Sequence, residues 1–143
     1  MHVFTIGYEK ATVDEFLSAL RRAGVEQVVD VRAIAASRRP GFAKSALAAN
    51  LASTGIGYRH LRALGTPKEG RDAAKKGDRV TLERVYMGQL DLPAAIAEAE
   101  ALKALVAERP TALLCFERDP AMCHRSLLIA AALPGAEVTD LFA

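Results

Sequence analysis

The chain contains no tryptophan, and aromatic residues make up only 6% of its 143 positions. That scarcity argues against a broad stacking platform for nucleic-acid bases. Cysteine occurs twice. Two are too few for a disulfide-stapled secreted scaffold, so a reducing cytoplasm is the expected setting. No apolar run approaches the roughly 18 residues that a membrane helix needs, so no membrane partner is expected. Met1-His2-Val3-Phe4 lacks the basic and long apolar regions of a secretory signal. The phosphate-loop pattern GxxxxGK[ST] and the GxSxG nucleophile elbow are both missing. A Cys-x5-Arg cradle starting at Cys115 fails at Ala121. Gly55-x-Gly57 is too short for a dinucleotide fingerprint. No cofactor is therefore expected.

What is present is a chain with 51% hydrophobic and 25% charged residues. That apolar share supports a packed core and excludes wholesale disorder. The length fits one domain over residues 1–143. A net charge of +2 hides an asymmetry: residues 32–84 hold twelve basic and four acidic side chains. A basic sector on a nearly neutral chain suits an anionic partner, either a small molecule or a nucleic acid.

Val3-Phe4-Thr5-Ile6 reads as a strand ended by Gly7. Thr12 and Glu15 have capping-box spacing, and Phe16, Leu17, Leu20 and Ala23 follow at helical spacing before Gly24. Gln27-Val28-Val29-Asp30-Val31 is a second strand with a continuous apolar run, as in a sheet covered on both faces. Lys44 to Ser53 reads as a helix, and Ile56 to Leu61 as a third strand. Leu64 to Asp78, with Gly65, Pro67, Gly70 and Gly77, reads as an irregular excursion. Helices are expected over Thr81 to Leu90 and Pro93 to Arg109. Thr111 to Phe116 is a fourth strand. Asp119-Pro120 is a cap pair that should open one helix running to Leu133, apolar nearly all round and hence buried. Ala136 to Thr139 is a weak last strand. Strand–helix alternation predicts an α/β three-layer sandwich with a mainly parallel sheet of about five strands. Ligands of such sheets bind beyond the carboxyl ends of the strands.

That rule selects the candidate site. Tyr8 follows the first strand, and Asp30 and Arg32 end the second. Asp30 is read as a base or orienting carboxylate, and Arg32 as a two-pronged anion grip, with an Asp30–Arg32 ion pair as the alternative. Ser37 and Arg38 lie in the next loop as further binding candidates. Glu117, Cys123, His124 and Arg125 flank the last helix start. Cys123 is a candidate nucleophile, with Glu117 or His124 as proton carrier. On one helix, Cys123 and His124 point about 100° apart, which disfavours their direct pairing. Arg125 opposes the helix dipole, so a negative group should offset it: Glu117, Asp30 or a bound anion. Cys115, Cys123, His124 and Glu117 are the residue types that hold zinc. They lack CxxC or HxxxH spacing, so no metal is expected.

Together, Thr5-Ile6-Gly7-Tyr8, Val29-Asp30-Val31-Arg32 with Ser37-Arg38 and Phe42, Gly55-Ile56-Gly57-Tyr58 with Leu64-Gly65, Leu114-Cys115-Phe116-Glu117 and Cys123-His124-Arg125 resemble the family of unknown function called DUF488. The resemblance runs from about Thr5 to Leu133. Ala33-Ile34-Ala35-Ala36 stands where members usually carry a proline, and Thr66 where a second glycine commonly follows Leu-Gly. The resemblance implies a small α/β domain of bacterial or archaeal type and no established reaction. The residues point to a small enzyme acting on a phosphate-bearing or other anionic substrate, such as a nucleotide or nucleic-acid fragment. The alternative is a non-catalytic nucleic-acid or nucleotide binding module using the basic sector.

Overall fold

The segments richest in aliphatic and β-branched residues form the sheet. In the computed structural model, which describes residues 1–143, the strands are β1 (His2–Gly7), β2 (Gln27–Asp30), β3 (Gly57–His60), β4 (Thr111–Cys115) and β5 (Glu137–Phe142). They pair in the order β3-β2-β4-β1-β5, and every pairing is parallel. All residues of β2 and β4 are buried. Inner strands covered on both faces have no solvent side to alternate with, which explains their continuous apolar runs.

The helices are α1 (Val13–Ala23), α2 (Lys44–Ala52), α3 (Lys68–Lys75), α4 (Arg79–Leu90), α5 (Pro93–Glu108) and α6 (Arg125–Ala132). Thr12 and Glu15 form the expected reciprocal capping box, and Gly24 ends α1 in the left-handed conformation at φ 75°. Alternate strand residues face opposite layers. Ile6, Val28, Ala112 and Leu114 pack with Phe16, Leu20, Leu47 and Leu51 of α1 and α2. Val3, Val29 and Leu113 pack on the other side with Tyr86, Leu102, Val106 and Leu128 of α4, α5 and α6. The result is a three-layer α/β sandwich.

From β1 the chain moves outward to β2 and β3 through α1 and α2 on one face. It later enters β4, between β2 and β1, and reaches β5 through α6 on the opposite face. A reversal of this kind opens a crevice beyond the strand carboxyl ends.

Four expectations fail. The stretch after Leu64 is not irregular, because Lys68–Lys75 forms α3. Its buried residues Gly70, Ala73 and Ala74 are small but helically spaced, so the apolar stripe is weak in the sequence. The helix expected from Asp119 to Leu133 is interrupted. Asp119 caps only a 3₁₀ turn, Pro120–Met122, after which Cys123 is extended at φ −138° and ψ 163°. Nor is α6 buried all round, since Ala130 and Ala131 face solvent. The last strand runs three residues further than expected, to Phe142.

Candidate functional site

The three inner strands end within hydrogen-bond reach of one another. Val31 N–H donates to the Leu114 carbonyl at 3.0 Å, and Glu9 N–H to the Phe116 carbonyl at 2.9 Å. Arg118 N–H donates to Glu9 Oε1 at 3.1 Å. Gly7 is required where β1 meets the loop after β4: a Cβ there would stand 1.8 Å from the Glu117 carbonyl oxygen.

Above these ends lies a cavity of about 340 Å³. Tyr8, Arg32, Ser37, Glu117, Cys123 and His124 line it, as the sequence reading grouped them. Asp30, Arg38 and Arg125, grouped with them in the sequence, are not among its lining residues.

Asp30 sits behind Arg32, with no exposure. Arg32 Nε donates to Asp30 Oδ1 at 2.9 Å and Nη2 to Oδ2 at 2.7 Å. Arg32 N–H and the Tyr58 hydroxyl also donate to this carboxylate, at 3.1 and 2.6 Å. Nη1 of Arg32 donates to the Phe42 carbonyl at 2.8 Å and to the Tyr8 hydroxyl at 3.2 Å. The two-pronged grip expected for a ligand is therefore spent on Asp30. Burial alone would lower the Arg32 pKa, but the hydrogen bonds and charge of Asp30 outweigh it and raise it, so the guanidinium stays charged.

Arg38 is exposed on the loop. Arg125 is fully buried. Its Nη2 donates to the main-chain carbonyl of Glu117 rather than to a carboxylate, and its Nε and Nη1 have no partner. It supports the Glu117 loop from beneath. Burial pushes its pKa down to about 10, against the pull of Glu117, Asp140 and Asp119.

The two cysteines are joined: Cys115 and Cys123 form a disulfide. Both line the cavity. A separation of eight residues does not reveal such a pairing. It arises because the extended backbone at Cys123 returns the chain to the end of β4. The same conformation overturns the expected divergence of Cys123 and His124, since His124 Nδ1 lies 3.8 Å from Cys123 Sγ. The Val31 carbonyl, 2.7 Å from His124 Nε2, accepts its hydrogen, which leaves Nδ1 unprotonated on the cysteine side. Burial pushes His124 down to about 4, so the ring is neutral at pH 7. Glu117 Oε2 is 3.4 Å from Cys115 Sγ. Burial pushes the Glu117 carboxyl up, against the attraction of Arg125 and Lys75.

As a donor set, Cys115, Cys123 and His124 bring three candidate metal-binding atoms within 4.8 Å of one another. In the disulfide state neither sulfur is a thiolate, the form that metals bind.

The wall opposite is α3. Sequence reasoning missed Arg71 and Lys75 of α3 and Thr66 just before it. Arg71 Nη1 donates to the Thr66 carbonyl at 2.9 Å, and the buried Thr66 hydroxyl has no partner. Lys75 is exposed at the rim. The available signal was the small-residue stripe Gly70, Ala73, Ala74 and Gly77, spaced as one helix face. Gly65 lets the turn before α3 pack against the loop after β2, because a Cβ there would meet the Ala33 backbone at 2.2 Å.

The sequence model of a family described as a domain of unknown function, DUF488, matches residues 12–132. No curated protein and no solved structure matches the chain.

Proposed function

The chain belongs to the DUF488 family, and from that premise and the cavity just described we propose that it is a small enzyme acting on an anionic substrate. One observation carries the reading: acid/base, sulfur and cationic groups from four separate segments meet in one concave space at the reversal point of the sheet. Arg71 and Lys75 supply positive charge on the α3 wall. Arg32 is already neutralised by Asp30, so it shapes the floor and contributes little net field. Glu117, with its pKa raised by burial, exchanges a proton closer to neutrality than an ordinary carboxyl does. Buried Ala74 and Leu82 and the exposed Ile34 and Phe116 line the remaining surface.

Thermal unfolding in the presence of inorganic phosphate, a nucleoside monophosphate or a dicarboxylate tests the anion site. At a hundredfold excess over Kd, a bound ligand stabilises by about 2.7 kcal/mol, a rise of roughly 5–10 °C in Tm. The Arg71→Ala/Lys75→Ala double variant is expected to lose that rise, its unliganded Tm falling by only a few degrees (about 1 kcal/mol) for the lost Arg71–Thr66 bond. No ligand-dependent rise with any anion counts against the cavity as a substrate site. Salt-sensitive binding of a DNA or RNA oligomer that survives the double variant replaces this reading with the nucleic-acid module.

A further inference from the structure

We propose that Cys115 and Cys123 are a working dithiol/disulfide pair, and that the anionic substrate is a low-molecular-weight disulfide carrying negative charge. This rests on the cavity being the substrate site and narrows what enters it.

The two sulfurs have opposite surroundings. Cys123 Sγ receives the Arg125 backbone N–H at 3.3 Å, from the first residue of α6. The buried Arg125 guanidinium, with two unpartnered nitrogens, donates to the Glu117 carbonyl. The N–H at the start of α6 favours a thiolate at Cys123 and makes it the attacking sulfur. Cys115 Sγ faces the Glu117 carboxyl instead. Glu117 is placed to take the Cys115 proton and to return it, which makes Cys115 the resolving sulfur. Both cysteines are only 1% exposed. The cavity they line is therefore their access to a partner, and it admits a small molecule more readily than a folded protein. Lys75 and Arg71 on the facing wall select negative charge.

The step balances as follows. In the reduced protein the Cys123 thiolate attacks one sulfur of RS–SR, forming Cys123–S–S–R and expelling RS⁻. Glu117 takes the Cys115 proton. The Cys115 thiolate then attacks Cys123 Sγ, expels the second RS⁻ and closes the disulfide seen in the structure. Two electrons pass from the cysteine pair to the substrate; Glu117 hands the Cys115 proton to one RS⁻, and the other takes up from solvent the proton released when Cys123 ionised. Turnover needs a dithiol reductant to reopen the pair.

The test begins with the wild-type chain, equilibrated in mixtures of reduced and oxidised glutathione and quenched by alkylation. Mass spectrometry is expected to show one pair passing reversibly between dithiol and disulfide. For rates, the dithiothreitol-reduced protein is freed of reductant and mixed with glutathione disulfide, which is anionic, or cystamine, which is cationic. The anionic disulfide is expected to react roughly tenfold faster or more, and Lys75→Ala to shrink that ratio. Cys115→Ser should accumulate one glutathione on Cys123. Glu117→Gln should slow closure by about a hundredfold and leave formation of the mixed disulfide unchanged. A wild-type pair that never cycles overturns the proposal, as does a preference for cystamine or one equivalent of zinc held by the reduced thiols of the isolated protein. If anions still stabilise the wild type in those cases, only the disulfide chemistry falls and the anionic-substrate reading stands.

Discussion

Asp30→Asn isolates the energy stored in the floor of the cavity. The substitution keeps the volume and removes the negative charge facing Arg32. In the native protein that carboxylate accepts four hydrogen bonds, three from Arg32 and one from Tyr58. Asp30 has no exposure and Arg32 has 6%, so water replaces little of what is lost. Removing one partner of a buried ion pair costs about 3–5 kcal/mol, because the other charge is left buried and unpaired. Against a typical total of about 5–15 kcal/mol, that is a third or more of the stability of a small domain. The expected fall in Tm is roughly 6–20 °C. Urea denaturation should show the same loss with an unchanged m value, marking a change in the native state and not in the unfolded chain. The double variant Asp30→Asn/Arg32→Met should lose less than the sum of the single variants, since it leaves no uncompensated charge. A single-variant loss below about 1 kcal/mol, the scale of a solvent-exposed pair, would refute this account of the floor.

Three further expectations concern the rim. The Glu117 pKa is raised in the fold by burial, so its protonated form is favoured. That stability is complete below the ordinary carboxyl pKa and is lost as pH rises through the raised value. The gap in Tm between wild type and Glu117→Gln, followed against pH, should shift against the wild type on going up in pH. His124 behaves in the opposite sense. Its pKa is pushed down to about 4 by burial, so the neutral ring contributes stability above pH 6.5 that is lost as pH falls toward 4. At about 1.4 kcal/mol per pH unit this amounts to roughly 3 kcal/mol, and His124→Gln should flatten that limb of the acid-denaturation curve. Finally, Gly7→Ala forces a methyl against the Glu117 carbonyl. A loss of about 1–3 kcal/mol in urea denaturation is expected, together with slower Cys115–Cys123 cycling, because Glu117 shifts with its backbone.

Much of the fold was legible because its signals are local. The capping box at Thr12 and Glu15, Gly24 after α1, and the unbroken aliphatic runs of β2 and β4 each follow from short-range chemistry. The alternation of elements gave the parallel sheet, and the sheet gave the rim. Tyr8, Arg32, Ser37, Glu117, Cys123 and His124 could then be grouped by position alone. What stayed hidden depends on tertiary contact. The Cys115–Cys123 bond needs the extended residue after Met122, and Asp119-Pro120 signals a helix start without saying how soon the turn breaks. Whether Arg32 serves a ligand or Asp30 is decided by Tyr8, Phe42 and Tyr58, which come from three other segments. Nothing in the polar run from Lys68 to Lys75 shows that it lies across the mouth of the site.

That last segment divides the cavity into unequal halves. On one side, the ends of β1, β2 and β4 are clamped by ladder hydrogen bonds and by two large apolar clusters. On the other, α3 and α4 are joined through a small separate cluster of Ala73, Ala74 and Leu82, with Leu127 against it. Tyr86 ties α4 to the main core, so α3, held by that small cluster, is the part of the wall that lifts at least cost. Its amides should exchange with deuterium well before those of β4. The stiff half then holds the reacting atoms in register while the loose half sets which molecules are wide enough to be turned away.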